Sequence, residues 1–182
     1  MANINRPRRG ALLCAHFIRN LAYFRAGWNG LQIKFPAAEI WVTINSNFLD
    51  IAVLEWCKLF ADQSAKHGWR RVLVDPGPFL LQLMADCRIS DVEWAAYIQK
   101  MRKYRDEFVA HLDDSNRMDI PEMGVAEKAA IYLYDSIRAE NRGTDTLAGL
   151  PISARTYYQE CYAEAEALYA CQPHVPSSLI DA

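Results

Sequence analysis

The stretch SDVEWAAYIQKMRKYRDEFVAHL, Ser90 to Leu112, decides how the chain folds. Placed about 100° apart, its residues give an apolar stripe of Trp94, Tyr97, Ile98, Met101, Tyr104, Phe108 and Leu112. The other side carries Lys100, Arg102, Lys103, Asp106 and Glu107. Ser90 and Glu93 have capping-box spacing: the serine oxygen accepts from a free N–H while the glutamate reaches back. Asp113-Asp114-Ser115-Asn116 ends the pattern, so the spacing predicts an amphipathic helix over 90–112.

Working outward, the same periodicity predicts helices on both sides. A first covers about 10–27, with Leu12, Leu13, Phe17, Leu21 and Phe24 on one side and Gly27 at its end. A second runs from near Pro36 to about Asp62, with Ile40, Trp41, Ile44, Phe48, Ile51, Ala52 and Leu59 at helical spacing. Residues 63–77 read as a loop with a turn near 69–73, and 79–86 as a short helix. Another helix covers 122–141, stopped at Gly143. The last spans 154–171, capped by Ser153, with a stripe of Tyr157, Tyr158, Cys161, Ala165 and Leu168. The 30–35 stretch could be extended, but the sequence offers no second strand to pair with it. The expectation is an all-α, up-down helical bundle in one domain over 1–182, with additional C-terminal helices and a tail from 173.

Composition agrees. The chain has 182 residues and a formal net charge of -2, with 52% hydrophobic and 23% charged residues. Its mass is 20.8 kDa. A generic polyanion binder is disfavoured, although a local basic patch fits. No apolar run approaches the roughly 18–20 residues of a membrane span. Arg6, Arg8 and Arg9 precede only a short apolar stretch broken by His16 and Arg19, unlike a signal peptide. Five cysteines, with no C-x-x-C pair, point to reduced and packed thiols in a cytoplasmic protein. His16, His67, His111 and His174 show no ligand spacing, and no phosphate-binding loop or dinucleotide fingerprint is present. No metal and no cofactor are expected.

One residue of the 90–112 helix is on the wrong side. Arg105 falls inside the apolar stripe, between Met101, Phe108 and Leu112. A guanidinium cannot be neutralised, so burial there demands a carboxylate or an anionic ligand. Glu55 occupies the matching position in the second helix, between Ile51 and Leu59, and a Glu55–Arg105 ion pair is the structural expectation. The chemical alternative takes Arg105 with His111. An arginine can stabilise a pentavalent phosphate, and a histidine can move a proton at a ribose hydroxyl. The two are six residues apart, roughly 120° on a straight helix. To meet one phosphate, the arginine must reach around, the helix must loosen near its end, or a second subunit must complete the site.

The run Tyr104-Arg105-Asp106-Glu107-Phe108-Val109-Ala110-His111 resembles the signature of the HEPN superfamily: arginine, a polar follower, then histidine after four to six positions. Leu54-Glu55-Trp56-Cys57-Lys58-Leu59-Phe60 and His67-Gly68-Trp69-Arg70-Arg71 look like a branch associated with bacterial abortive infection. The resemblance covers about residues 10–140. It implies a homodimer, RNA as substrate, metal-independent endoribonuclease activity, and an antitoxin or defence-system partner. It also implies that Arg105 contacts phosphate, His111 transfers protons and Asp106 orients the pair. Some members bind without cutting, and there Arg105 would be a structural ion-pair partner.

Arg102 and Lys103, with Lys100, are candidate substrate-binding residues tracking an RNA backbone; the plainer reading is a solvated helix face, because Asp106, Glu107, Asp113 and Asp114 dilute the charge. Arg6, Arg8 and Arg9 read as a disordered end able to add phosphate contacts. His67 with Trp69, Arg70 and Arg71 reads as a packed loop, with RNA contact as the alternative. Tyr157, Tyr158, Tyr162 and Tyr169 suggest core packing or a subunit contact.

Overall fold

The computed structural model describes residues 5–29, 32–34, 39–62, 64–110 and 119–171. Seven α-helices follow in order: α1 (Asn5–Ala26), α2 (Glu39–Trp56), α3 (Trp69–Val72), α4 (Gly77–Cys87), α5 (Asp91–Tyr104), α6 (Gly124–Glu140) and α7 (Ala154–Ala170). Between α1 and α2, Trp28 pairs with Ile33 and Asn29 with Gln32 in a two-residue antiparallel ladder. The extended stretch therefore does have a partner, in the residues immediately before it. A 3-10 turn, Asp145–Leu147, precedes α7.

The fold is built around α1, which packs against α2, α6 and α7. Its Ala11, Cys14, Phe17, Ile18 and Leu21 are all buried, because small and large side chains alternate around the helix and let neighbours close on several sides. α1 starts earlier than the apolar pattern suggests, and its first turns hold the arginines that read as a loose end. Arg8 donates to the carbonyls of Thr146 (3.1 Å) and Ala148 (2.9 Å) and so fastens the 3-10 turn. At the far end of α1, buried Asn45 ties three elements together. Its amide donates to Phe24 O (3.0 Å) and Tyr169 Oη (3.1 Å), and its oxygen accepts from Trp28 Nε1 (2.9 Å).

α5 buries Trp94, Met101 and Tyr104, and its capping box forms as the spacing predicts. α2 does not follow its predicted stripe. Asn45, Leu49, Ala52, Val53 and Trp56 face the core, while Ile40 is 65% and Ile51 40% exposed. The buried face is turned about a quarter of the way round the helix from the expected one. In α7 the correction is smaller: Tyr169 is buried and Leu168 is exposed.

α2 and α5 both end in widened π-helical turns, at Cys57–Ala61 and Arg105–Ala110. The first is closed by Asp62 N–H donating to Cys57 O at 2.9 Å, an i to i+5 bond. Leu59, Phe60 and Ala61 are all buried there. A regular helix would turn one of three successive residues outward; the wider turn lets all three stay in the core.

Candidate nucleic-acid interface

The widened turns of α2 and α5 meet, and Arg105 lies at their junction. Its Nη1 donates to Asp62 Oδ1 at 2.5 Å and its Nε to Asp106 Oδ1 at 2.8 Å. The side chain is 21% exposed. Asp106 and then Asp62 push its pKa further up against the opposing effect of burial, so the charge is permanent. The expected Glu55 partner is not used. Because the core face of α2 is rotated, Glu55 lies off the junction and its Oε2 approaches Lys58 Nζ at 3.2 Å instead. Asp62, one residue past the π-turn, takes its place. Sequence reasoning missed Asp62 because a straight-helix projection cannot show a residue that the wider turn swings inward.

The remaining predicted site residues separate. Asp106 is exposed and does hold Arg105. Lys103 is exposed, 3.8 Å from Glu107. Arg102, expected on the solvent face, is half-buried and donates to the Ala61 carbonyl, tying α5 to the end of α2. His111 lies outside the described residues, as does His174. Beneath the junction, Cys57 Sγ packs 3.7 Å from Met101 O, and burial pushes its thiol up to about 12, away from nucleophilic chemistry. Tyr104 donates to Asp50 at 2.8 Å.

Beside this junction, basic side chains from separate parts of the chain gather. Gly10 is the reason α1 and α3 can touch: a Cβ there would come within 2.7 Å of Val72 Cγ1. That close approach sets the first turns of α1 beside the loop before α3. Burial lowers the His67 pKa, and the charges of Arg9, Lys66 and Arg6 lower it further. Arg6, Arg9, Lys66, Arg70 and Arg71 are all exposed. Arg70 also lies 4.3 Å over the ring of Trp69.

Arg70 and Arg102 share a 220 Å³ pocket with Phe60, Trp69, Trp94 and Gln99. It is smaller than the roughly 300–1,000 Å³ of a site for a drug-sized ligand and suits one flat ring or one phosphate. A larger groove of 630 Å³ runs along α4, α6 and α7, but Asp86, Glu127 and Asp135 offset Lys128 and Arg155 there. Among the described residues, no group of His, Cys, Asp and Glu is placed to hold a metal ion. No helix among them is long and apolar enough to cross a membrane.

No family model, no curated protein and no solved structure matches this chain.

Proposed function

We propose that this chain is an RNA-binding helical protein of HEPN type, in which the basic end takes the phosphate backbone and Arg105 is a structural ion-pair partner. The observation that carries the reading is that basic side chains from segments far apart in the chain meet, Arg6 and Arg9 of α1 with Lys66 around His67, and Arg70 of α3 with Arg102 of α5 in one pocket, in a chain whose net charge is -2. Such local positive charge suits a strand whose phosphates track arginine. Arg105, held by two carboxylates, is engaged in joining α5 to α2 and is the weaker candidate for meeting phosphate.

The test is anisotropy of a labelled single-stranded RNA across a salt series. Affinity should fall with salt at a slope of roughly -0.7 per phosphate neutralised. Arg9→Glu with Arg70→Glu should weaken binding about tenfold or more and flatten that slope. Unchanged binding in that variant would remove the basic end from the reading.

A second reading is favoured by the π-turn over Arg105–Ala110, since such turns concentrate at functional sites and loosen the helix just before His111. In it, Arg105, Asp106 and His111 cleave RNA without a metal, in a bacterial defence or toxin-type system with an antitoxin partner. Purified protein incubated with total and transfer RNA in excess chelator, beside His111→Ala, tests it. Cutting that is lost in the variant supports the enzyme; no cutting by either leaves the binding reading in place.

A further inference from the structure

The 220 Å³ pocket lies where α3, α4 and α5 meet the widened turn after α2, and Arg70 and Arg102 line it with no carboxylate beside them. Elsewhere in the fold guanidinium groups are answered, Arg25 by Glu127 and Arg105 by Asp62 and Asp106. Among the described residues neither Arg70 nor Arg102 makes an ion pair. Arg70 lies over the Trp69 ring, which orients its guanidinium without cancelling the charge. Arg102 gives one N–H to the Ala61 carbonyl, and its other donors have no partner among the described residues.

Phe60, Trp69 and Trp94 are each 5% exposed, so they give the pocket apolar walls and not open ring faces. Charges interact more strongly beside such walls than in open water. Arg102 is half-buried there, and a permanent charge in that position calls for an anion.

We infer that the pocket binds a phosphomonoester in its dianionic form. A monoester carries a charge of about -1.5 to -2 at pH 7 and three acceptor oxygens, which match two fork-shaped guanidinium groups. Gln99 on the same wall adds an amide donor. An internal phosphate of a strand has one negative charge and chain on both sides, and the pocket is too small to pass a chain through. The ester is either a small free molecule or the terminal phosphate of a nucleic-acid strand. The inference shares Arg70 and Arg102 with the RNA reading, makes no use of the side chains around His67, and stands if the protein binds no RNA.

Isothermal titration calorimetry of the full chain with ribose 5-phosphate, in buffer free of phosphate, tests it. One site per chain is expected, with no heat from ribose. Arg70→Gln should weaken binding about tenfold or more with unchanged circular dichroism. Arg102→Lys, which keeps the charge and loses the fork, should weaken it by a smaller factor. Arg142→Gln, which removes an equal charge outside the pocket, should leave it unchanged. Between about pH 7.5 and 5 the affinity should fall about tenfold as the ester takes up its second proton near pH 6. Arg70 of α3 and Arg102 of α5 keep their charge over that range, and α4 and the widened turn present only Leu80, Phe60 and Ala61. A short RNA with and without a 5′-phosphate distinguishes the sources. Preference for the phosphorylated end that Arg70→Gln abolishes assigns the strand end; equal binding of both RNAs beside tight ribose 5-phosphate assigns the free ester. Succinate bound as tightly as the ester, or an equal loss in Arg142→Gln, would overturn the inference. So would no heat from ribose 5-phosphate with no preference between the RNAs, and RNA binding that persists in that case leaves the RNA reading standing.

Discussion

α5 and α2 are two helices of similar length that solve burial differently. α5 turns Trp94, Met101 and Tyr104 inward, and Lys100, Lys103 and Asp106 stay in water. α2 has apolar residues on both sides: Leu49, Val53 and Trp56 inside, Ile40 and Ile51 outside. A helix with one apolar face is spent by folding. A helix with two leaves one of them in water, as Ile40 and Ile51 show.

The comparison breaks or holds on mutations placed by face. Trp56→Ala, at the centre of the core, should cost about 3–5 kcal/mol in urea unfolding. Ile40→Ala in dilute protein should change stability by no more than about 0.5 kcal/mol. Equal costs would mean that α2 has no outer face. The junction between the two helices comes next. Arg105→Ala should destabilise by about 1.5–3 kcal/mol, since it strands Asp62 beside a packed turn. A double-mutant cycle should give a coupling of about 0.5–3 kcal/mol for Arg105 with Asp62 and close to none for Arg105 with Glu55. A large Glu55 coupling would restore the partner that helical spacing alone suggests.

Where α1 meets α3, Gly10→Ala should cost about 1–3 kcal/mol, because the Val72 methyls cannot swing away as a long side chain would. RNA affinity should fall with it if the basic end depends on that contact. The smallest effect is a pH dependence. The His67 pKa is lowered in the fold, so below its ordinary value of 6.5 the unfolded chain binds the proton more readily. Stability should therefore be lost as pH falls through that range, and His67→Gln should flatten the loss. A bound polyanion should act the other way and raise the His67 pKa, which imidazole NMR resonances would report.

Much of this was legible in the residues. The capping box of Ser90 and Glu93, the inward side of α5 and the misfit of Arg105 follow from spacing, because charged residues on the far side of α5 leave only one way to orient it. In α2 only Glu39 and Asp50 are charged before Glu55, so two stripes fit the period equally well. The wrong choice there carried the Arg105 partner with it. The widened turns at Cys57–Ala61 and Arg105–Ala110 have no counterpart in a straight-helix projection, and Asp62 could not be found without them.

By itself the sequence determined an all-helical chain, most of its helix limits and that Arg105 had to be satisfied among apolar neighbours, since periodicity and capping are local. Only the tertiary structure decided which side of α2 is core, which carboxylate answers Arg105, that Arg9 lies near His67 and Lys66, and that Arg70 shares a pocket with Arg102. Those depend on how closely α1 approaches α3 and on where a helix widens, and both are set by packing between segments far apart in the chain.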